Sequence, residues 1–370
     1  MHVLVTGGLG YIGTHVVTEL IDTHASNTHL TVVIVDNLNS SKATTLDILK
    51  EFIPSDSANT QDICLELKVV DICDHVALEG VFSTYTFEIV YHFAALKSIT
   101  ESFRNPEAYY QTNYLGSKHI VDLCIKYRIR KCIFSSSASV YGNQPVPAKG
   151  FSESDALQPD EIAHMYGRTK RLVELYIESL DEQSHTTFIV LRYFNPIGNH
   201  SNGSIGELLA EPTSEMSLFK RLSTEYLKAK QHSVGRTNEK SVYTPTFSLF
   251  GNDYPTSDGT CERDVIHVSD VAKCHVCVAN HTYLRSYQVF NVGQGFPTSV
   301  KTMVDHYEDV SNTPFTKRYC QRRQGDAVTS YANVERIHYA VGWKALHNVR
   351  RACLDSVTHC NHILQHILNQ

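Results

Sequence analysis

Basic residues are not in excess in this chain: 33 Lys and Arg stand against 39 Asp and Glu, a net charge of −6 over 370 residues. That leaves no broad positive field for nucleic acid, so any anionic ligand must be caught by a few placed groups. Long apolar runs are also missing. None approaches the roughly 20 residues a helix needs to cross a bilayer, and no membrane partner is expected. The start of the sequence has no signal-peptide pattern, because Met1-His2 leads straight into Val3-Leu4-Val5 with glycines close behind. A cytoplasmic location is the expectation. Disulfide spacing is absent too: the ten cysteines are scattered, several within apolar runs where free thiols pack. There is no internal repeat and no low-complexity tract.

Metal-ligand patterns are equally thin. Cys274-His275-Val276-Cys277 is the one CxxC. It falls in a predicted helix, Val268 to Val278, and no second pair completes a four-ligand site. His359, His362 and His366 share one face of a C-terminal helical pattern, which reads as a solvated terminal helix. No metal is expected.

What is present is an alternation of short β-rich runs with amphipathic stretches, the pattern of a doubly wound parallel α/β sheet. Strands are predicted at Val3–Thr6, Leu30–Val35, Leu65–Val70, Ile89–His92, Lys131–Ser135 and Thr187–Leu191. The longest predicted helices are Pro106–Tyr127 and Ile162–Leu180. Ile53–Asp62, rich in Ser, Asp, Asn and Thr, reads as a surface loop. Beyond Arg192 the rhythm breaks. Glu211–Lys240 is polar and helical in character, Ser233–Ser241 reads as an exposed excursion, and short strands return at Thr246–Phe250 and Gln288–Asn291. The expectation is a Rossmann-type domain over residues 1–192 and a smaller α+β substrate domain over 193–370. The second lies over the carboxyl edge of the sheet, and the chain is free to cross back.

Gly7-Gly8-Leu9-Gly10-Tyr11-Ile12-Gly13 follows an apolar strand and opens a helix. Gly7 permits the tight turn, Gly10 lets backbone approach a pyrophosphate, and Gly13 lets the helix pack on the strand. The positive helix end then faces the phosphates. Asp36 ends the second strand, placed to accept from an adenosine ribose hydroxyl and to repel a 2′-phosphate, which selects NAD.

Tyr166-Gly167-Arg168-Thr169-Lys170 sets a phenol and an amine four residues apart on one helical face. A free tyrosine titrates near 10 and is a poor base at neutrality; lowering it by about three units takes roughly 4 kcal/mol. One cation at about 4 Å supplies that order of energy at an effective dielectric near 20. Lys170 is one such cation and the oxidised nicotinamide is another. Upstream, Phe134-Ser135-Ser136-Ser137-Ala138-Ser139-Val140-Tyr141-Gly142 brings hydroxyls to a strand end. Ser137 is placed to bond the reacting sugar oxygen and pass its proton to Tyr166.

The GxxGxxG spacing and YxxxK resemble the extended short-chain dehydrogenase/reductase superfamily. Within it the chain is similar to the UDP-galactose 4-epimerases. HFAALKSITES (His92–Ser102), FSSSASVYG (Phe134–Gly142), LRYFNPIG (Leu191–Gly198), LFGNDYPTSDGT (Leu249–Thr260), RDVIHVSD (Arg263–Asp270) and RRQGD (Arg322–Asp326) carry the likeness. The resemblance implies an enzyme that moves hydride from C4 of a UDP-sugar to tightly held NAD, turns the 4-keto sugar over, and returns the hydride to its other face. It implies Tyr11, Ile12, Asn37, Asp71, Ile72, Phe93, Lys97, Asn113 and Phe194 around the cofactor with Asp36. It places Asn195, Phe250, Arg263, Arg323 and Asp326 around the nucleotide diphosphate and uridine. A homodimer through the two long helices is also implied.

The chain departs from the family in places. Glu262 precedes Arg263 and is expected to point outward, since it would repel a phosphate. Pro212–Met216 replaces an asparagine-containing uridine-side loop, and Ser223–Ser241 is longer than the family's compact form. Ser330 stands where relatives restricted to glucose and galactose can carry tyrosine, so N-acetylated UDP-hexoses are expected to fit. A nucleotide-sugar 4,6-dehydratase would need carboxylates where Ser137-Ala138-Ser139 stands. A UDP-glucuronate decarboxylase would want extra cations, and a non-catalytic NAD-binding relative usually lacks Tyr or Lys of YxxxK.

Overall fold

The computed structural model describes residues 1–24, 29–54, 63–180, 184–209, 216–234, 243–323 and 326–368. Residues 55–62 of the predicted loop, 212–215 of the departing uridine-side loop and 235–241 of the excursion lie outside the described residues.

Six strands form in the first half: β1 (His2–Thr6), β2 (Leu30–Asp36), β3 (Ile63–Val69), β4 (Ile89–His92), β5 (Lys131–Ser137) and β6 (Thr187–Tyr193). Beyond Arg192 follow β7 (Asn195–Ile197), β8 (Thr246–Phe250), β9 (Glu262–Arg263), β10 (Val265–His267), β11 (Tyr287–Val292), β12 (Thr298–Ser299), β13 (Thr316–Cys320) and β14 (Thr329–Ser330). Seven of them make one parallel sheet in the order β11-β6-β5-β4-β1-β2-β3. Val32-Val33-Ile34-Val35 on β2 is buried throughout, as a parallel strand covered on both faces requires. One face is covered by helices Tyr11–Asp22 and Val268–Asn280, the other by Ser117–Lys126 and Met165–Ser179.

The returning strand is the main topological finding. Gln288–Asn291, read with the second half, is the centre of β11, and it pairs with β6 from Tyr287↔Phe188 to Val292↔Tyr193. The rest of the second half has its own core, in which helices Leu218–Val234, Val300–Ser311 and Val349–Leu368 enclose Leu222, Phe247, Leu249 and Tyr307. The expected helix Pro106–Tyr127 is interrupted by a π-helical segment, Tyr110–Gly116. Such widened turns are concentrated at functional sites. Here the segment carries Asn113, whose amide accepts from Leu96 N at 2.8 Å and donates to Leu96 O at 2.9 Å, fixing the loop after β4. The second long helix starts at Met165, three residues later than expected, because His164 caps it by accepting from Gly167 N at 3.0 Å.

A buried ion cluster ties helix Met165–Ser179 to β5 and β6. Glu174 accepts from Arg192 at 2.8 and 3.0 Å, from Arg171 at 3.1 Å and from the Ser136 hydroxyl at 2.5 Å. Both Glu174 and Arg192 are sealed from solvent. Deleting one member of such a pair leaves its partner charged and unmatched in the interior, at a cost of about 3–5 kcal/mol. Glu174→Ala is therefore expected to lower unfolding stability by about that amount in urea denaturation. An unmoved midpoint would show that the cluster holds nothing together.

Candidate active site

The carboxyl ends of β1, β4, β5 and β6 converge where the strand order reverses between β1 and β4, the position at which open α/β sheets bind ligands. The glycine loop is held there by Gly7 N donating to Val35 O at 2.7 Å. Gly7 has φ +65°, and a Cβ on it would meet Ala94 N at 2.7 Å; a Cβ on Gly13 would meet Gly7 O at 2.4 Å. Gly10 caps helix Tyr11–Asp22 without a side-chain bond, which leaves the helix's first amides to an outside acceptor. This is a cradle shaped for a pyrophosphate.

Asp36 stands beside it, accepting from Leu9 N at 3.2 Å, Leu38 N at 3.0 Å and Ser41 Oγ at 2.8 Å. Asn37 donates to Asp71 at 2.8 Å, and the Asp71 carboxylate also accepts from Cys73 N at 2.8 Å. Burial pushes Asp71 up, but these hydrogen bonds outweigh it and hold its pKa below the ordinary value. Ile72 is buried against Gly116, where a Cβ would touch it at 2.8 Å. Tyr11 crosses the loop, its hydroxyl donating to Gly198 O at 2.5 Å, and Ile12 packs at the rim of the core. Phe93 is fixed by its N–H to Thr6 O at 2.9 Å.

Three more residues that the resemblance implies around the cofactor have partners within the chain. Lys97 is exposed and pairs with Glu207 at 2.9 Å. Asn113 has both amide groups engaged by Leu96, so it shapes the wall of the loop rather than presenting a free group. Phe194 is buried in a small cluster with Tyr141 and Phe151.

The helix Met165–Ser179 lays Tyr166 and Lys170 against the end of β5. Lys170 Nζ donates to Ser135 O at 2.7 Å and lies 6.0 Å from the centre of the Tyr166 ring. Ser137, the last residue of β5, accepts from Ser139 N at 3.1 Å and faces the Tyr166 phenol. Burial pushes the phenol above the ordinary tyrosine value, opposed by the nearby Ser137 hydroxyl. The same burial pushes Lys170 down to about 7, with Glu174 pulling it back up. The Ser136 hydroxyl is spent on Glu174 and the Ser135 side chain lies by Tyr193, while Ser137 is the serine beside the phenol. Behind them Tyr193 and His275 meet at 2.5 Å, and burial pushes His275 down to about 4, which keeps it neutral.

A cleft of about 440 Å³ lies in the second half, lined by Phe250, Arg323 and Asp326 together with Met216, Leu218 and Arg221. Arg263 bonds Asp326 at 3.3 Å and the carbonyls of Glu262 and Ala327 at 2.7 and 2.9 Å. Glu262 is turned to the neighbouring strand, accepting from Thr329 Oγ1 at 3.0 Å. Asp264 is buried and accepts three backbone amides, from Gln294, Gly295 and Ala332, which pins the loops behind the cleft. Asn195 donates to Asp264 O at 2.7 Å. Ser330 on β14 pairs directly with Arg263 on β9.

Arg221 and Leu218 were not singled out in the sequence. They sit on a polar helix with no motif around them, and an isolated arginine there gives no signal. Elsewhere, Cys277 donates to Val341 O, His359 is buried and bonds Gly203 O at 2.6 Å, and His362 and His366 bond each other at 3.1 Å. Among the described residues no group of three or more His, Cys, Asp or Glu is placed to hold a metal, and no helix is long and apolar enough to cross a membrane.

Residues 3–293 match the family model of the NAD dependent epimerase/dehydratase family. The bifunctional UDP-glucose 4-epimerase and UDP-xylose 4-epimerase 3 of Arabidopsis thaliana is 36% identical over 96% of this chain and 93% of its own length. The UDP-glucose 4-epimerase of Bacillus subtilis is also 36% identical, over 96% of each chain. Among solved structures, a UDP-glucose 4-epimerase from Stenotrophomonas maltophila with bound NAD and formylated UDP-arabinopyranose aligns over 99% of both chains, with a TM-score of 0.84 and 31% identity. One from Bifidobacterium longum with NAD+ and UDP aligns over 98% of both, with a TM-score of 0.81 and 30% identity. The glycine cradle, the Tyr-Lys helix and these near full-length likenesses agree, and the chain belongs to the NAD dependent epimerase/dehydratase family.

Proposed function

We propose that this protein inverts C4 of UDP-hexoses, interconverting UDP-galactose and UDP-glucose, as an NAD-dependent epimerase of galactose metabolism. The observation that carries the reading is the position of Tyr166. It stands one helical turn from Lys170 and against Ser137, at the sheet edge where the glycine cradle opens. NAD fits that cradle; when bound it takes up hydride from C4 and returns it.

The chain's own residues handle the proton and the grip. Tyr166 Oη accepts the proton of the sugar's 4-hydroxyl as the C4–O bond becomes a carbonyl, and donates it back when the carbonyl is reduced. Ser137 Oγ bonds that oxygen and steers the proton. Lys170, held by Ser135 O, supplies positive charge beside the tyrosinate. Because burial opposes both charged forms, the phenol needs a second cation, which oxidised nicotinamide would supply when bound. Asn195, Phe250, Arg263, Arg323 and Asp326 take the nucleotide diphosphate and uridine. Held at that end, the 4-keto sugar is left free to turn over.

In this reading residues 1–192 hold the dinucleotide and 193–370 the UDP-sugar. The enzyme works in the cytoplasm as a homodimer through the helices spanning 106–127 and 162–180, beside which Ile99 and Phe103 are exposed.

Removing the phenolic oxygen tests the centre directly. Tyr166→Phe is expected to lower kcat by roughly 10²–10⁴ while the purified protein keeps its NAD; near-normal turnover would overturn the mechanism. The pH profile isolates Lys170. At about 6 Å and an effective dielectric near 20, a cation lowers the phenol by about 3 kcal/mol, or roughly two pH units. The tyrosinate is the active form, so Lys170→Met should move the acidic limb of kcat/KM up by about that much, losing more rate at pH 7 than at pH 9. A uniform loss across pH would contradict this role. Ser330 sets a third expectation: the enzyme acts on UDP-N-acetylgalactosamine as well as UDP-galactose. Ser330→Tyr should then cut the ratio of their kcat/KM values by at least about tenfold, which is a modest 1.4 kcal/mol of discrimination. A wild type inactive on the acetylated sugar defeats it.

A further inference from the structure

Arg221 projects from helix Leu218–Val234 into the same cleft as Phe250, Arg323 and Asp326. Its guanidinium carbon lies 5.1 Å from the centre of the Phe247 ring and 5.5 Å from that of Phe250. The guanidinium carbon of Arg323 lies 4.0 Å from the same Phe250 centre. Two cations therefore share one aromatic ring. Among the described residues neither side chain makes a hydrogen bond or an ion pair.

Among the described residues, the nearby carboxylates are engaged elsewhere. Glu225, one turn along the helix from Arg221, accepts from the Tyr243 hydroxyl at 2.6 Å and from Lys228 at 3.4 Å. Asp326 is bonded to Arg263 at 3.3 Å. Burial and the nearby charge of Arg323 work against the protonated form of Arg221, and they outweigh the opposing pull of Cys320 and Glu225. Counting the charges that line the cleft or are bridged to it, Arg221, Arg263 and Arg323 less Asp326 leave +2. A local positive excess in a partly open cleft, on a chain whose net charge is −6, suits an anionic ligand. The diphosphate of a nucleotide-sugar carries two negative charges.

We propose that Arg221 is a third guanidinium of the diphosphate site. It grips the substrate from the side of helix Leu218–Val234. The assignment rests on the nucleotide-sugar reading above and adds a residue to it. Guanidinium suits the task because its fork can bond two phosphate oxygens while its plane stays on an aromatic ring.

Calorimetric titration of the NAD-loaded protein with UDP and, separately, with uridine tests the assignment. Wild type, Arg221→Met and Arg221→Lys are compared. Arg221→Met should weaken UDP by roughly 10–100-fold, the range for losing a charge-assisted hydrogen bond, and uridine by less than about threefold. Arg221→Lys, which keeps the charge and loses the fork, should fall between them for UDP. If Arg221→Met binds UDP within about twofold of wild type, the assignment is wrong. It is equally wrong if UDP and uridine weaken together, because the side chain then serves the base end or the packing of Phe250. Should wild type itself hold NAD yet fail to bind UDP, the nucleotide-sugar function falls, a result distinct from a failure confined to Arg221. A melting midpoint for Arg221→Lys equal to wild type confirms that the comparison is made on folded protein.

Discussion

The position of one buried ammonium group organises the reactive end of the molecule. Lys170 is almost sealed from solvent, yet its charge must be kept close to the phenol of Tyr166. An isolated amine in that setting would shed its proton, and burial does push it down to about 7. The chain answers with a carbonyl in front and a carboxylate behind. Ser135 O, at the end of β5, accepts from Nζ at 2.7 Å, and Glu174, four residues on, favours the charged form. Tyr166, Lys170 and Glu174 thus follow at four-residue steps along one helical face. Phenol, cation and supporting anion are therefore fixed to each other by helix geometry before tertiary packing adds anything.

Tertiary packing then fixes that helix to the sheet. Glu174 is shared between Arg192 of β6, Arg171 and Ser136 of β5, so the arginine of the LRYFNPIG segment reaches the reaction centre through a carboxylate. The same Arg192 donates to the Tyr141 hydroxyl at 3.1 Å, and Tyr141 donates to Asn291 on the returning strand β11 at 2.5 Å. The crossing of the chain back to the main sheet therefore does more than extend it. β11 supplies the outer wall against which β6 and the Tyr141 turn are held, and loops pinned by Asp264 lead from that strand to the nucleotide cleft.

Most of this frame was legible because it is periodic or local. Buried parallel strands write themselves as apolar runs, and Ile89–His92 and Thr246–Phe250 fall at the bounds the sequence predicts. The glycine cradle is legible for a steric reason, since a Cβ at Gly7 or Gly13 would collide with backbone. Features set by distant partners were not. The π-helical segment around Asn113 is stabilised by a bond to Leu96 that no local pattern announces, and helical periodicity alone reads through it. The place of β11 in the main sheet depends on pairing with β6, about 100 residues earlier, while its own sequence says only strand. Arg221 is the clearest case, because its meaning lies in having Phe250 and Arg323 as neighbours and, among the described residues, no ion-pair partner. The Arg263-Asp264 pair shows the converse. Its two residues are adjacent in sequence yet face opposite tasks, one toward the cleft and one into the interior, where the carboxylate pins three loop amides.

The distribution of charge also bears on why the sugar can turn over. Inverting a carbon by oxidation and reduction requires the same catalytic groups to meet both faces of the ring, so contacts to the sugar must be few and interchangeable. Binding energy has to come from elsewhere, and interactions with non-reacting parts of a substrate can supply it. In this protein Arg221 and Arg323 line the cleft proposed for the nucleotide, with Arg263 bonded to its one aspartate, Asp326. The reactive end offers Ser137, Tyr166 and a lysine already bonded to the chain. An anchor that is strong and remote, with a reaction centre that is sparse and buried, lets one end of the substrate stay fixed while the other rotates. In the proposed reading the same asymmetry places recognition on residues of the second half and leaves the proton chemistry to the helix Met165–Ser179 and the end of β5.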